Sequence, residues 1–406
     1  MKACGLIVEY NPFHYGHLHH LQQSKTITSA DCMIAVMSGN FLQRGEPAII
    51  DKFHRAQAAM EAGIDLVVEL PYAYAVQHSD IFAEGATKIL DALGVSSVCF
   101  GSENGNIHGF TSAVQTLDQK QTDFQEELKR QLAEGLSFPE ASRKAYQSIG
   151  LTDGEVDLSK PNNILGFSYT KSIYNHQLAI QPTTIKRIKN DYHDTEIDHR
   201  IASATSIRKE LLDRSELTNK VRASLPISTQ KQLLTYKQNA HHWHQWSSYF
   251  HFLQYRVNTM TEAELQGIHG VEEGLEYRIK RTALGAVDFE SWMHELKTKR
   301  YTWTRLQRVF ANILTNTTKQ EISPWISNIT IPYIRILAMN NNGRSFLHQQ
   351  KKQLSIPLLT GLKKDTHPLM RIEEKASDTY YSIIHPTSRI PLRKQEIVPR
   401  LIDISK

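Results

Sequence analysis

The chain has 406 residues, 40% of them hydrophobic and 22% charged, a balance that fits a folded, water-facing protein of two or three domains. No apolar run approaches the length of a membrane span, and the first residues, one Lys and a short apolar run closed by Glu9, are not expected to act as a secretory leader. Charge is uneven: residues 1–180 hold 13 Lys and Arg against 20 Asp and Glu, residues 181–406 hold 34 against 22, and the formal net is +5. The basic half is expected to hold a polyanion.

Ala3–Val8 is a short apolar run with β-branched residues and reads as the first strand of a parallel sheet, buried on both faces. Pro12 stops it by fixing its own φ and turning Asn11 away from helical geometry. Helical spacing follows, with Leu18 and Leu21 one turn apart, so His14, Gly16 and His17 fall where a helix begins. A first turn offers unpaired N–H groups and the positive end of a dipole, a site for phosphate. Gly16 lets a ligand lie against the backbone. His14 and His17 share one face, where two imidazoles can donate hydrogen bonds to an α-phosphate as it becomes five-coordinate.

Asp31–Met37 reads as a second strand, followed by the polar stretch Ser38–Pro47 at the edge where open α/β sheets bind ligands. Asn40, Gln43 and Arg44 are the candidates there for substrate contact. Lys52–Ala62 reads as a helix, Leu66–Leu70 as a third strand, Gln77–Leu93 as a helix, and Val95–Phe100 as a fourth strand with Gly101 just past its end, where a base or ribose could approach the backbone. Strands alternating with helices predict a Rossmann-like, doubly wound α/β sheet. The Gly-x-Gly-x-x-Gly and Gly-x-x-x-x-Gly-Lys-Ser/Thr loops are missing, which disfavours nicotinamide or flavin enzymes and P-loop NTPases. The three cysteines, Cys4, Cys32 and Cys99, sit in apolar runs, as buried thiols of a reducing cytoplasm would.

Residues 108–180 read as mostly helical, over Thr111–Leu132 and Pro139–Ile149, and Pro161 opens a further helix whose Asn162 and Asn163 can face a ligand. Thr184–Ile188 reads as a fifth strand with Lys186, Arg187 and Lys189 at its edge. In Ile201–Lys209, Ser203 is a good N-cap, so Ser203, Thr205, Ser206 and Arg208 line a second helix start suited to the β- and γ-phosphates of a nucleotide.

Helical spacing dominates from Leu217 to about Asn316. Within Ser291–Leu314, Leu296, Trp303, Leu306, Phe310 and Ile313 can face a core, while Lys297, Tyr301, Arg305, Arg308 and Asn312 recur on another face. A basic stripe that holds an aromatic suits RNA phosphates and an unstacked base. Arg344, Lys351, Lys352, Lys363, Lys364, Arg393 and Lys394 add to it. His19, His20 and the His241, His242, His244 group read as exposed polar side chains rather than metal ligands, and Trp243 and Trp246 as either base-stacking or buried.

The motifs occur in one order: Gly-Leu-Ile-Val-Glu-Tyr-Asn-Pro-Phe-His-x-Gly-His, Met-Ser-Gly-Asn-Phe-x-Gln-Arg-Gly-Glu-Pro-Ala, Val-Glu-Leu-Pro, Phe-Gly-Ser-Glu, Pro-Asn-Asn-Ile-Leu and Ser-Ala-Thr-Ser-Ile-Arg. This set resembles the bacterial tRNA(Met) cytidine acetate ligase family of the nucleotidyltransferase superfamily. It covers the first half densely and the second only in loose features such as Lys299-Arg300-Tyr301-Thr302. The resemblance implies a catalytic domain over residues 1–215 that uses ATP, with Mg²⁺, to activate acetate as acetyl-adenylate. It also implies a basic, mainly helical domain over 216–406 that grips the anticodon stem-loop of elongator tRNA(Met), whose wobble cytidine is acetylated at N4. Carried over by motif, the family's nucleotide contacts fall on Ile7, Val8, Glu9, Tyr10, Asn11, Pro12, Phe13, His14, Tyr15, Gly16, His17, Leu18, His19, His20, Gly101, Asn162 and Arg187. Two other readings compete. An adenylyltransferase for a small phosphorylated acceptor would carry the same two motifs without needing a long basic half. A non-catalytic RNA-binding protein on the same fold would tolerate loss of His14 and His17, which are present.

Overall fold

Ala3–Val8 is extended and nearly sealed on both faces, and every residue of Cys32–Ser38 and Leu66–Leu70 is buried, as unbroken apolar runs in a covered parallel sheet require. The structure is a computed structural model that describes residues 1–187, 202–272, 274–362 and 367–398; Ile188, Lys189, Ile201, Lys363 and Lys364 lie outside them. The strands are β1 (Ala3–Val8), β2 (Cys32–Ser38), β3 (Leu66–Leu70), β4 (Ser97–Ser102), β5 (Gln181–Lys186), β6 (Ile334–Met339) and β7 (Leu358–Leu359). Among the described residues they form one sheet in the order β5-β4-β1-β2-β3-β6-β7. It is parallel from β5 to β3, while β6 runs antiparallel to β3. The chain builds outward from β1 to β3, then crosses back to lay β4 on the other side of β1. The carboxyl ends of β1 and β4 therefore part at a change of winding direction, which opens a crevice.

Element boundaries moved by a few residues. The strands expected at Val95–Phe100 and Thr184–Ile188 lie at Ser97–Ser102 and Gln181–Lys186. The helical run expected over Thr111–Leu132 breaks at Lys120 into Ile107–Gln119 and Gln121–Ala133.

The larger departure is β6. The sheet does not stop near residue 215 but takes its sixth and seventh strands from the second half. Arg335 interrupts the apolar run of β6 and hides it from a pattern reading, yet this side chain is 1% exposed. Its Nη1 lies 2.9 Å from Glu69 and its Nη2 2.7 Å from Glu396, while Lys52 Nζ lies 2.6 Å from Glu69 and 3.0 Å from Glu396. Burial and the nearby Glu69 push the Glu373 carboxyl up, to about 8.

The helical remainder packs on this sheet around aromatic side chains. Trp246 stacks on Phe289 with ring centres 4.8 Å apart, and Trp292 lies 4.8 Å from Phe310. One continuous core joins Ile34 of β2, Tyr72 and Phe310. The loop after β2 is pressed onto the helix Trp303–Leu314 at Gly45, which has φ +86°. A Cβ there would lie 2.5 Å from the Arg308 nitrogen and the Gln307 carbonyl carbon. Gly45→Ala is therefore expected to destabilise the protein by more than about 1 kcal/mol, through strain at positive φ and the lost close approach. Chemical denaturation checks this, and an unchanged midpoint would mean that the loop has slack.

Candidate active site

The crevice beyond β1 and β4 is a cavity of about 2100 Å³, and both helix starts singled out in the sequence line it. His14 caps the helix Tyr15–Thr28 from extended backbone, φ −128°. Its Nδ1 accepts the Gly16 N–H at 3.0 Å, and His17 Nδ1 accepts the His14 N–H at 3.3 Å. A ring nitrogen that accepts an N–H carries no proton, so both imidazoles are assigned the tautomer protonated on Nε2. The rings stack with centres 3.8 Å apart, which two imidazolium cations would oppose. Burial, with Arg187 and Arg208 nearby, lowers the His14 pKa to about 3. Burial and then His14 itself hold His17 well below its ordinary value. Each is a neutral ring with one Nε2–H to give. His20 gives its Nε2–H to the Cys99 carbonyl at 3.2 Å.

The second start is the helix Ala204–Arg214, where Ser203 Oγ accepts the Ser206 N–H at 3.0 Å. Arg208 ties the two starts together. It donates to the Asn11 carbonyl at 2.8 Å and pairs with Glu46 at 3.2 Å. A third wall is a chain of polar groups in which Arg187 donates to Asn162 at 3.0 Å and Asn162 to Glu103 at 2.9 Å. A Cβ on Gly101 would meet Arg187 Cγ at 3.1 Å, so the bare backbone expected to admit a base first makes room for this side chain.

All the expected nucleotide residues line the cavity except Pro12, Phe13, Tyr15, Leu18 and Ser206. Phe13 belongs to the core, and Ser206 turns its hydroxyl to the Ser203 carbonyl at 2.9 Å. In the following loop Gln43 and Arg44 line the cavity, but Asn40 does not. Asn40 is buried and its Oδ1 accepts the Lys52 N–H at 3.0 Å, which braces the loop.

The basic stripe is not one helical face. Lys297–Thr302 is a turn between Phe289–Leu296 and Trp303–Leu314, closed by Thr298 Oγ1, which accepts the N–H groups of Arg300 and Tyr301. Lys297 and Arg300 are exposed. Tyr301 is buried and donates to the Glu272 carbonyl, Arg305 pairs with the Glu272 carboxylate at 3.1 Å, and Asn312 is buried. Arg308 and Thr304 instead reach the cavity mouth. There Arg308 donates to the Gln43 carbonyl at 3.4 Å, and burial, with Arg305 and Arg44 nearby, lowers its pKa to about 10. His244, expected at the surface, is buried against the hydroxyls of Tyr236 and Tyr249, and Trp243 and Trp246 are core residues. Among the described residues no group of three or more His, Cys, Asp or Glu could hold a metal ion.

Arg55 went unrecognised in the sequence. It sits on the inner face of the helix Lys52–Glu61 and donates to the carbonyls of Glu9 at 2.6 Å and Ser38 at 3.0 Å, tying the ends of β1 and β2 together. A charge on an inner face is the one thing an amphipathic pattern does not announce.

A family model described as HIGH Nucleotidyl Transferase matches residues 1–396. The chain is 52% identical over 397 residues to the tRNA(Met) cytidine acetate ligase of Oceanobacillus iheyensis, covering 98% of each chain. It is 44% identical over 399 residues to that of Bacillus subtilis, covering 98% of this chain and 96% of the other. The chain belongs to the tRNA(Met) cytidine acetate ligase family. Its fold is similar to that of Thermotoga maritima TmcAL in an apo form, with TM-score 0.88, 33% identity and 96% of each chain covered. It is equally similar to TmcAL bound with alpha-thio ATP, with TM-score 0.89, 32% identity, 99% of this chain and 100% of the other.

In this member of the acetate ligase family the neutral histidines make folding sensitive to protons. An unfolded His takes up a proton near pH ~6.5. Folded, His14 stays neutral down to about 3, and His20 and His269 down to about 4. Protons therefore favour the unfolded chain in that window, and the contribution of these groups is whole above pH ~7 and lost as pH falls from ~6.5 toward ~4. The melting temperature is expected to drop steadily across it. A level melting temperature between pH ~7 and ~5 would contradict the neutral assignment.

Proposed function

We propose that this protein uses ATP to activate acetate as acetyl-adenylate and passes the acetyl group to N4 of the wobble cytidine of elongator tRNA(Met). The observation that carries this reading is the meeting of two helix starts on one cavity, one with paired Nε2–H donors and one with hydroxyls. Cytosine N4 is a weak nucleophile because its lone pair is delocalised into the ring, and acetate is a weak electrophile. A mixed anhydride with AMP supplies the missing reactivity.

Acetate attacks the α-phosphorus in line, an oxygen–phosphorus bond forms, and pyrophosphate leaves. His14 and His17 donate to the α-phosphate oxygens as charge grows on them, and the start of the helix Ala204–Arg214, with Ser203 and Thr205, receives the departing pyrophosphate. N4 then attacks the acetyl carbon, AMP leaves with the bonding pair, and N4 sheds a proton. The residues present do not fit a protein cage for Mg²⁺, because Glu9 already accepts from Gln43 and Glu46 pairs with Arg208. On this reading Mg²⁺ comes with the triphosphate alone.

The tRNA anticodon stem-loop approaches from the basic half, with Arg44 and Arg308 at the cavity mouth and Lys297 and Arg300 beyond it. No helix among the described residues is long and apolar enough to cross a membrane, and the three cysteines are free thiols. The reaction is assigned to the cytoplasm, where ATP and tRNA meet.

His14→Ala and His17→Ala are expected to abolish acetate-dependent ATP–pyrophosphate exchange while leaving tRNA affinity within about twofold, since phosphate contacts dominate that affinity. Wild-type exchange rates in both variants would remove the role given to the imidazoles. Changing Lys297 and Arg300 together to Glu is expected to weaken tRNA binding, flatten its salt dependence and spare exchange. Unmoved affinity would make that turn a solvated corner.

A further inference from the structure

The cavity is larger than one nucleotide needs. Pockets for small ligands run to about 1,000 Å³, and this one holds about 2100 Å³. The surplus is an arm whose lining comes from the helices Ser79–Ala92, Ile107–Gln119, Gln121–Ala133, Phe138–Ser148 and Pro161–Asn175, of which only Asn162 belongs to the nucleotide site described above. At its lip stand two exposed rings from different elements, His78 and Phe138, with centres 6.3 Å apart and planes at 44°. Phe138 is 49% exposed although it faces a cavity, and His78 caps its helix without using its ring to do so.

The charges in the arm say what does not bind there. Lys171 is matched by Asp80 at 2.8 Å and Arg143 by Glu140 at 2.6 Å, while Asp118 adds a further carboxylate. With both of its cations paired and one carboxylate over, this wall offers phosphate no free positive charge. It can still accept hydrogen bonds from an amino group, because Asp80 takes only the Ser168 hydroxyl and Lys171 on its four lone-pair sites in the contacts seen. The arm also communicates with the reacting end. Gln43 gives its backbone N–H to Glu9 at 2.7 Å and its side-chain amide to the Gln77 carbonyl at 2.7 Å, and its own carbonyl accepts from Arg308. His78 therefore follows directly on a residue bonded to the loop that closes the nucleotide end.

We infer that His78 and Phe138 form the platform on which an unpaired, amino-bearing nucleobase of the RNA acceptor stacks, with its phosphates left outside on the Arg44 and Arg308 side. The inference rests on the function proposed above, and names where a base of the opened loop is held while the target cytosine is turned toward the reacting end. Stacking is sequence-tolerant, so the platform supplies the grip and the polar wall beneath supplies the preference for an amino group.

Two assays on the full-length protein, with ATP, acetate and purified tRNA, test it. In Phe138→Ala and His78→Ala, acetyl transfer to tRNA is expected to fall about tenfold or more, as loss of a stacking ring does. The KM for ATP in pyrophosphate exchange is expected to stay within about twofold, and Phe138→Trp to restore transfer, since any large ring can stack. Transfer that is unchanged in both alanine variants overturns the platform. So does a rise in the exchange KM for ATP that parallels the loss of transfer, because the arm would then hold the adenine of ATP. If wild-type protein exchanges pyrophosphate but never labels tRNA, the acceptor reading itself fails and takes the platform with it. The wild-type control separates that result from the other two.

Discussion

The bond from Arg208 to the Asn11 carbonyl is the constraint on which the site depends. It joins the loop that ends β1 to a helix that begins after β5. Sheet order brings these segments near each other, since only β4 separates β1 from β5. Nearness would still leave two helix starts free to aim anywhere. A guanidinium with one hydrogen on Asn11 and another on Glu46 sets the angle between them, and its planar fork loses little freedom in doing so. Arg208, which also lines the cavity, thus works as a tie.

The same turn settles its own acid–base state. Because Gly16 and His14 spend their N–H groups on imidazole Nδ1 atoms, the protons sit on Nε2. The rings then stack and stay neutral, and the positive field in the cavity comes from helix ends and from Arg187 rather than from imidazolium. Neutral donors suit a reaction whose charge grows on the way to the transition state, because they bind the ground-state triphosphate less tightly than cations would.

The second half is not an appendage. It supplies β6 to the sheet, Glu396 to a buried ion cluster, and the helix against which Gly45 presses. A buried cluster of this kind is weak evidence of stability, but removing one member strands its partner without solvent. The loop that carries Gln43 and Arg44 is therefore held between sheet and helix.

What could be read along the chain is what acts within a few residues. The apolar run of Ala3–Val8, the stop at Pro12, the Ser203 cap and the alternation of strands and helices all lie within one turn or one strand of their cause, and so the α/β sheet and both helix starts were legible. The tertiary structure decided the rest. Arg335 and Arg55 are buried charges whose partners are far off in sequence, so the pattern around them points the wrong way. Asn40, Tyr301 and Arg305 are engaged by Lys52, Glu272 and the packing around them, contacts that no spacing rule contains. Hydrophobic periodicity and cap chemistry are local forces; charge pairing and close backbone approach need both partners in place, and only the fold brings them there.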